Sequence, residues 1–255
     1  MFIDRALKRL RRKETRTSFI AANKRVYAVG DIHGRLDLLE EMLEKITDDR
    51  HSFSGECEII FLGDYINRGP ESAQVLTCLS SLSRRSTMYR FLMGNHEEIF
   101  LRILNQNTDI FKLFLHMGGR QTILSYGVDT DLYRTASYDD LADIMRSRIP
   151  SAHMEFLNSL ETQISIDDYL FVHAGVDVHK AIDNQDPKVT RWIRNEFTHS
   201  HDSYEKTVVY GHTVYPDVYQ RGCRIGIDTG AYASGKLSAI ALEGTRRWLL
   251  QTCGR

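Results

Sequence analysis

The chain has 255 residues, of which 42% are hydrophobic and 26% are charged. This composition is typical of a globular protein with a sizeable core, and it excludes an intrinsically disordered chain. No apolar run approaches the roughly 18 residues that a membrane-spanning helix needs. Because 33 Lys and Arg oppose 34 Asp and Glu, the net charge of −1 gives no sign of a polyanionic partner, and no nucleic-acid ligand is expected.

Positive charge is concentrated at the start of the chain. Residues 1–25 hold nine Lys and Arg and two acidic residues, a net charge of +7, which leaves −8 for the remainder. We therefore expect a basic N-terminal arm over residues 1–24 and a globular domain over residues 25–255. The arm lacks the apolar segment of a secretory signal. A solvated terminus is one interpretation of the arm, and docking to a partner or weak contact with a membrane surface is the other.

The cysteines indicate a reducing environment. Cys57, Cys78, Cys223 and Cys253 are scattered along the chain and form no C-x-x-C pair. Neither a disulfide framework nor a zinc finger is therefore indicated. Free thiols are the simplest expectation, and with them a cytoplasmic location.

Strand-like and helix-like segments alternate along the chain, which is typical of an α/β protein. Strands are predicted at residues 25–29, 58–62, 88–93, 169–172, 207–210, 224–228 and 237–242. Helices are predicted at residues 36–46 and 72–82, and a mostly helical insertion at about 98–160. No linker rich in Pro or Ser divides these segments, so we expect one layered domain with an insertion rather than two domains.

Polar side chains follow five of the predicted strands, at the point where each strand ends. They are Asp31 and His33, then Asp64, Asn67 and Arg68, then Asn95 and His96, then His173, and last His212. Loops beyond the carboxyl ends of strands are where α/β proteins bind ligands. Asp and His are ligands for divalent metal ions, Asn adds a neutral carbonyl oxygen, and one carboxylate can bridge two ions about 4 Å apart. The sequence therefore predicts a two-metal site on one rim of the sheet.

The same residues lie in five ordered motifs. These are Gly-Asp-Ile-His-Gly at 30–34, Gly-Asp-Tyr-Ile-Asn-Arg-Gly at 63–69, Gly-Asn-His-Glu at 94–97, His-Ala-Gly at 173–175 and Gly-His-Thr at 211–213. They resemble the motifs of the calcineurin-like metallophosphoesterases, and more narrowly those of the phosphoprotein phosphatase family in its bacterial and phage (lambda-type) branch. The resemblance implies a β-sandwich flanked by helices, with a dinuclear metal site at the strand ends.

Carried over position by position, the resemblance implies two sets of metal ligands that share one residue. The first ion would be held by Asp31 and His33, the bridge would be Asp64, and the second ion would be held by Asn95, His173 and His212. A water or hydroxide shared by the ions would be the nucleophile that attacks phosphorus. Mn²⁺ is the expected ion, and Fe and Zn are alternatives that the same ligand types suit.

The resemblance also implies how the substrate phosphate is held. Arg68, Asn95 and His96 would contact it, together with a second arginine. For that arginine we prefer Arg194, from the Trp-x-Arg spacing of the phage-type enzymes, and Arg191 is the alternative. His96 would also be the general acid that protonates the leaving oxygen.

Asn67 departs from the family pattern, because protein phosphatases of this family carry Asp at that position. An Asp would support a protonated His96 electrostatically, whereas Asn can accept a hydrogen bond through its amide oxygen but brings no charge. Symmetrical diadenosine tetraphosphatases also have a neutral residue there, and a nucleotide phosphate leaves more readily than a serine alkoxide. Asn67 is thus consistent either with a phosphoanhydride substrate or with a variant of little effect.

Two enzymatic functions follow from the resemblance. The first is a metal-dependent serine/threonine protein phosphatase, which the Gly-Asn-His-Glu-Glu form of the third motif favours. The alternative is a dinucleoside polyphosphate hydrolase of the diadenosine tetraphosphate type. A non-catalytic binding module is disfavoured because no metal ligand is missing. We expect residues 105–134 of the insertion to determine substrate selectivity.

Overall fold

The computed structural model describes residues 17–106, 108–200 and 204–254. The strands in these ranges are β1 (Lys24–Val29), β2 (Glu56–Phe61), β3 (Tyr89–Phe91), β4 (Gln163–Ile166), β5 (Tyr169–Val172), β6 (Thr207–Tyr210), β7 (Tyr219–Arg221), β8 (Arg224–Gly226), β9 (Ser238–Glu243) and β10 (Arg246–Gln251). The α-helices are α1 (Leu36–Arg50), α2 (Ser72–Arg85), α3 (Asn95–Leu104), α4 (Phe111–His116), α5 (Gly119–Ser125), α6 (Thr130–Thr135), α7 (Tyr138–Arg148), α8 (Ser151–Asn158), α9 (Pro187–Trp192), α10 (Asn195–Thr198) and α11 (Ala231–Ser234).

The strands form two mixed sheets of five strands each. The strand order is β10-β9-β1-β2-β3 in the first sheet and β4-β5-β6-β8-β7 in the second. Strands β1, β2 and β3 are parallel to one another in the first sheet, as are β5, β6 and β8 in the second. Within each sheet, the loops that follow three parallel strands therefore leave from the same edge.

Alternation of side chains along the strands determines how the layers pack. In β1, Val26 and Ala28 belong to the core between the two sheets, whereas Tyr27 and Val29 pack against the helices on the outer face. β5 alternates in the same way, between the inter-sheet core and a third cluster on the outer side of the second sheet. The molecule is therefore a β-sandwich flanked by helices, and the predicted fold is confirmed.

The helical insertion shares the core of the first sheet. Helix α7 packs on α3, and both α5 and α8 pack on α2. The rings of Phe100 and Phe114 stack at 5.4 Å within the same cluster of buried residues that covers β1 and β2. The insertion is thus fixed against the body of the sandwich.

Three strands were not predicted from the sequence. β4, β7 and β10 each lie at an edge of a sheet. The predicted helices are also longer in the structure, because α1 continues to Arg50 and α2 to Arg85.

The described part of the N-terminal segment packs on the sandwich. Ile20 is fully buried, and its N–H donates a hydrogen bond to the Gly244 carbonyl at 2.9 Å. The N–H of Ala21 donates to the Asp167 carboxylate at 2.8 Å. Residues 1–16 of the predicted basic arm lie outside the described residues. Within the described ranges, no helix combines the length and the apolar character needed to cross a membrane. The cysteines are free, as predicted.

Candidate active site

Loops from both sheets meet at one end of the sandwich. The residues that follow β1, β2 and β3 there are Asp31, Asp64 and Asn95, and those that follow β5, β6 and β8 are His173, His212 and Asp228. Each of these six side chains is at most 6% exposed. The two sheets are joined directly, since the Asp31 carboxylate accepts the His212 N–H at 3.0 Å and His173 Nε2 lies 3.4 Å from Asp64 Oδ1.

Backbone strain is concentrated in these loops. Among the described residues other than glycine, eight have a positive φ, and five of them are His33, Asp64, Asn67, Arg68 and His212, with φ between 47° and 70°. A left-handed conformation costs about 1–3 kcal/mol for a residue with a Cβ, and such residues cluster at functional sites. The loop conformations are therefore consistent with side chains held in place for chemistry.

One group of potential ligand atoms comes from Asp64, His173 and His212, and these atoms lie within 4.8 Å of one another. His173 Nε2 is 3.2 Å from His212 Nδ1 and 3.0 Å from Asn95 Oδ1. Its other ring nitrogen, Nδ1, is 2.8 Å from the Leu62 carbonyl oxygen. Nδ1 therefore carries the proton, and Nε2 presents a lone pair to the site. These are the residues predicted to bind the second ion, with Asp64 as the bridge.

A second group comes from His33, Asp64 and His96, again within 4.8 Å. The Nε2 atoms of His33 and His96 each lie 3.6 Å from Asp64 Oδ2. Nδ1 of His33 is 2.8 Å from the Ile66 carbonyl oxygen, which directs the Nε2 lone pair into the site. Asp64 is common to both groups, as a bridging ligand would be.

Asp31 lies beside Asp228, a residue that the sequence analysis left without a role. Asp228 is 1% exposed, its Oδ1 accepts the Gly230 N–H at 2.8 Å, and its Oδ2 has no hydrogen-bond partner in the described part of the chain. It follows β8 just as the other site residues follow their strands. Its place at a strand end was therefore a signal in the sequence that could have identified it.

Burial keeps the imidazoles of the site neutral. It lowers the pKa of His173 to about 4. It also lowers the pKa values of His33 and His212 well below the usual range, and the positive charge of Arg68 adds to the effect at both rings. Neutral imidazole is the form that binds metal ions.

Burial and mutual repulsion dominate at the carboxylates of the site, although the charge of Arg68 acts on both Asp31 and Asp64. Burial raises the pKa of Asp64 to about 7. Burial and the neighbouring Asp228 and Asp64 raise the pKa of Asp31 well above its usual value. Buried carboxylates that repel one another are stabilised by a nearby cation.

Several buried polar atoms of the site also lack hydrogen-bond partners in the described ranges, namely His33 Nε2, His212 Nε2 and Asp228 Oδ2. Unsatisfied donors and acceptors of this kind are costly unless a ligand engages them. The donor set of imidazole nitrogens, carboxylates and one amide oxygen suits divalent transition-metal ions. The residues present therefore fit two divalent cations.

Glu97 joins the loops that follow β2 and β3, and the sequence analysis missed this role as well. It is fully buried, and its carboxylate accepts the backbone N–H groups of Asp64, Tyr65 and Gly94 at 2.8 to 3.1 Å. Burial and the neighbouring Asp64 raise its pKa to about 7. Glu97 thus fixes the backbone that carries Asp64.

Asn67 is fully buried and lies against His96. Its Nδ2 is 2.8 Å from His96 Nδ1, and its Oδ1 accepts a hydrogen bond from the Thr122 hydroxyl at 2.6 Å. The amide oxygen thus accepts its hydrogen bond from Thr122, and the amide nitrogen faces the imidazole. Thr122 belongs to α5, so the helical insertion reaches the site.

Arg68 lies at the edge of the site. Its guanidinium carbon is 4.5 Å from the centre of the Tyr232 ring, and the same ring meets His33 edge-on at 5.5 Å. The Arg68 N–H donates to the Gly118 carbonyl at 3.2 Å, a second contact from the insertion. A cation–π contact of this kind holds the guanidinium beside the ring, and so beside the potential metal ligands.

The two candidates for a second phosphate-binding arginine differ in their surroundings. Arg191 Nε lies 2.9 Å from Glu98 Oε2, so its charge is already paired. Arg194 Nη1 donates to the His212 carbonyl at 3.3 Å. After burial and the neighbouring His173, the charge of Arg194 also lowers the pKa of His212. Arg194 is therefore the arginine that lies beside the candidate metal ligands.

Comparison with known proteins gives a consistent relationship. The sequence model of the calcineurin-like phosphoesterase family matches residues 24–221. The asymmetrical bis(5'-nucleosyl)-tetraphosphatase PrpE of Oceanobacillus iheyensis is 26% identical over 232 residues, which are 83% of this chain and 86% of the relative. The symmetrical bis(5'-nucleosyl)-tetraphosphatase of a Janthinobacterium species is 31% identical over 150 residues, which are 59% of this chain and 43% of the relative. The crystal structure of a proposed diadenosine tetraphosphatase matches this structure with a TM-score of 0.61 at 21% sequence identity. The match covers 93% of this chain and 99% of that chain, and it shows a shared fold.

Proposed function

Since the chain belongs to the calcineurin-like phosphoesterase family and is a metal-dependent phosphoesterase, we propose that its substrates are dinucleoside polyphosphates. Two of its relatives are named bis(5'-nucleosyl)-tetraphosphatases. These names support the alternative of the two expected functions better than the serine/threonine protein phosphatase that was expected first.

In this proposal, two cations share Asp64 as a ligand, and His96 is not a ligand of either cation. The first would be held by Asp31 and His33, and the second by Asn95, His173 and His212. Asp228 would add negative charge next to Asp31. When bound, the cations would lower the pKa of a water molecule and polarise the phosphoryl group. Mn²⁺ is the ion we propose, and the same donors suit Fe and Zn.

The substrate phosphates would be held by the charged and polar groups around the cations. Arg68 and Arg194 would supply guanidinium groups, whose planar fork matches phosphoryl oxygens. Asn95 and His96 would contact the phosphoryl group that reacts. His96 Nε2 would face the leaving oxygen and donate a hydrogen bond to it.

The observation that carries the choice of substrate is the neutral amide of Asn67, 2.8 Å from His96 Nδ1. No carboxylate is paired with His96 at this nitrogen, and burial lowers the pKa of His96 well below the usual range. A neutral imidazole is a weak acid for a serine or threonine alkoxide. A nucleoside polyphosphate leaves as a stabilised anion and needs less protonation. The site is therefore better suited to phosphoanhydrides.

The test is a direct comparison of substrates. The purified protein with Mn²⁺ is assayed on diadenosine tetraphosphate and on a phosphothreonine peptide, and the two kcat/KM values are compared. We expect the nucleotide to be preferred by more than about tenfold, because its leaving group needs less help from His96. The products also report the cleavage position, since ADP alone indicates symmetrical cleavage and ATP with AMP indicates asymmetrical cleavage. Preference for the phosphopeptide would instead support the protein phosphatase.

A variant at Asn67 extends this comparison. Asn67→Asp places a carboxylate next to His96 and favours its protonated form, so kcat/KM on the phosphopeptide should rise relative to that on the nucleotide. Asn158→Asp, at an exposed helical asparagine, is the matched control and should leave the ratio unchanged. No gain on the phosphopeptide would mean that the charge at position 67 does not set substrate preference.

We also propose how the chain is divided into domains and that the protein is located in the cytoplasm. Residues 25–255 would form one catalytic domain, with the helical insertion at about 98–160, and the basic segment before it would contact a partner or a membrane surface. The packing of the insertion on α2 and α3 supports a single domain. The free cysteines support a cytoplasmic location.

A further inference from the structure

Two hydroxyl groups, those of Ser72 and Thr122, contact Asn67. Oδ1 of Asn67 is 2.6 Å from Thr122 Oγ1, and the Asn67 backbone N–H lies 3.0 Å from the hydroxyl oxygens of both Ser72 and Thr122. The two hydroxyl oxygens are themselves 3.0 Å apart. All three residues have no exposed surface. The amide is therefore held entirely by protein groups.

The distances decide which end of the amide faces His96. A separation of 2.6 Å is usual for an O–H···O hydrogen bond and short for an N–H···O one. The atom beside Thr122 is therefore the amide oxygen, and the nitrogen lies 2.8 Å from His96 Nδ1. An amide nitrogen only donates hydrogen bonds. Nδ1 of His96 must then accept, and the proton of the neutral ring is on Nε2.

The opposite edge of the His96 ring favours the same arrangement. Nε2 lies 3.6 Å from Asp64 Oδ2. When this carboxyl is ionised, it attracts an N–H at Nε2 and would repel a lone pair there. The groups at both ring nitrogens thus select one tautomer.

We propose that Thr122 is a positioning residue: its hydroxyl orients the Asn67 amide so that His96 presents an N–H, rather than a lone pair, at Nε2 to the leaving oxygen of the substrate. The proposal rests on phosphate ester hydrolysis at this site, but not on the identity of the nucleotide. It gives the helical insertion a defined part in the reaction, because Thr122 lies in α5 of that insertion.

The benefit of this N–H depends on the leaving group. In hydrolysis, the oxygen of water bonds to phosphorus, the bond from phosphorus to the leaving oxygen breaks, and the leaving oxygen keeps the electron pair. The hydrogen bond from Nε2 stabilises that growing charge. The attacking water loses a proton. A leaving oxygen of high basicity gains a proton in exchange, whereas a leaving group that is stable as an anion leaves unprotonated and the proton of the water is released to solvent. Loss of the N–H should therefore reduce the rate of hydrolysis more for substrates with poor leaving groups than for substrates with good ones.

The test removes the Thr122 hydroxyl with little change in shape. Thr122→Val is compared with the wild-type protein by ¹⁵N NMR of the imidazoles in the metal-free state, with His96→Gln used to assign the signals. We expect wild-type His96 to be the Nε2–H tautomer and this preference to be lost in Thr122→Val. With Mn²⁺, the ratio of kcat/KM on phenyl phosphate to kcat/KM on p-nitrophenyl phosphate should fall by about tenfold or more in the variant.

Two further variants separate positioning from general packing. Thr122→Ser keeps the hydroxyl and should restore both the tautomer and the ratio. Thr135→Val is the matched control, because the Thr135 hydroxyl is exposed and, among the described residues, bonds only within its own helix. It should leave both measurements at the wild-type values.

An Nδ1–H tautomer in the wild-type protein would overturn the proposal, even if Thr122→Val did not fold. So would a folded Thr122→Val with an unchanged tautomer and an unchanged substrate ratio. Activity on both aryl phosphates without activity on diadenosine tetraphosphate would reject the proposed substrate alone, because neither readout of Thr122 uses a nucleotide.

Discussion

Asp228 places a third carboxylate in a site that already contains Asp31 and Asp64. Its Oδ2 is buried and has no hydrogen-bond partner among the described residues. Two divalent cations would bring a charge of +4 against −3 from the three carboxylates, which leaves a net positive site for an anionic phosphate. At the scale of single residues, Asp228 would therefore contribute to the charge balance of a two-metal site.

We predict that Asp228→Asn weakens the binding of Mn²⁺. Replacement of the carboxylate by a neutral amide removes negative charge next to Asp31 without changing the size of the side chain. Loss of an outer partner of a metal ligand commonly lowers metal affinity by about 10–100-fold, and we expect an effect of that size. Isothermal titration calorimetry with Mn²⁺ measures the affinity, and circular dichroism checks that the fold is retained.

The control for this prediction is Asp217→Asn. Asp217 is an exposed aspartate that contacts Gln251 and Lys236 on the surface, so its replacement should leave Mn²⁺ affinity unchanged. If Asp228→Asn bound Mn²⁺ as tightly as the wild-type protein, Asp228 would have no part in holding the cations.

At the scale of elements, the loops after β2 and β3 cross at a point that admits no side chain. Gly63 has φ of 105°, and a Cβ there would lie 2.7 Å from the Gly94 nitrogen and 2.8 Å from His173 Nδ1. A Cβ on Gly94 would overlap Asp64 Oδ1. Glu97 bonds to the backbone of both loops. The crossing thus determines where the carboxylate shared by both donor groups lies.

We predict that Gly94→Ala disrupts both metal sites together. The added methyl group would displace the Asp64 carboxylate, and the affinity for both cations should fall by at least about tenfold. The free energy of unfolding should fall by about 1–3 kcal/mol, the usual cost of overpacking. Calorimetric titration with Mn²⁺ and urea unfolding of the metal-free protein measure the two effects.

Gly222→Ala provides the comparison. Gly222 has φ of 59°, but apart from its two chain neighbours no described residue has an atom within 4 Å of the position that a Cβ would take. The backbone strain should cost about 1 kcal/mol of stability without any change in Mn²⁺ affinity. Normal metal binding by Gly94→Ala would show that the loop crossing is less tightly packed than the structure indicates.

Sequence patterns predicted the central strands and the edge strand β3 but missed the other three edge strands, β4, β7 and β10. The central β5 and β6 are buried at every position, so their apolar runs stand out from their surroundings. The edge strands β7 and β10 have exposed or half-buried residues throughout, because only one side of each pairs with a neighbour. Without a buried face, their sequences carry little alternation for a pattern to detect.

The site was predictable where its residues stand in short motifs and unpredictable where they act across the chain. Asp64 and Arg68 are recognisable from the seven residues around them. Thr122 has no motif of its own, and its role depends on a hydrogen bond to a residue 55 positions away. The direction of the Asn67 amide follows from contacts with Thr122 and His96, which no local sequence pattern reveals.

For the molecule as a whole, we predict that stabilisation by Mn²⁺ grows with pH. In the metal-free protein, burial raises the pKa of Asp64 to about 7, so this carboxyl is protonated at pH 6 and a cation must displace the proton. The protonated Asp64 carboxyl stabilises the metal-free protein, and this stabilisation is lost as the pH rises through about 7. Above that pH, a cation can bind the ionised carboxylate in place of the proton. His173, with a pKa lowered to about 4, is neutral throughout this range. The increase in Tm on adding Mn²⁺ should therefore be several degrees larger at pH 8 than at pH 6.

Differential scanning fluorimetry at both pH values, with and without a chelator, measures this effect. Asp64→Asn should show little stabilisation by Mn²⁺ at either pH, because it lacks both the proton and the shared ligand. Equal increases in Tm at pH 6 and pH 8 for the wild-type protein would contradict a proton-coupled metal site.

The pairing of β9 with β1 has a consequence for synthesis on the ribosome. β1 is among the first strands to be translated, yet its neighbour on one side is β9 (Ser238–Glu243). Asp31 likewise accepts a hydrogen bond from the His212 N–H, and His212 is translated 181 positions later. A nascent chain can therefore complete neither its first sheet nor its cation site until nearly all of these residues have emerged. With such distant contacts, folding should be slow and largely post-translational, and capture of the cations would mark its completion.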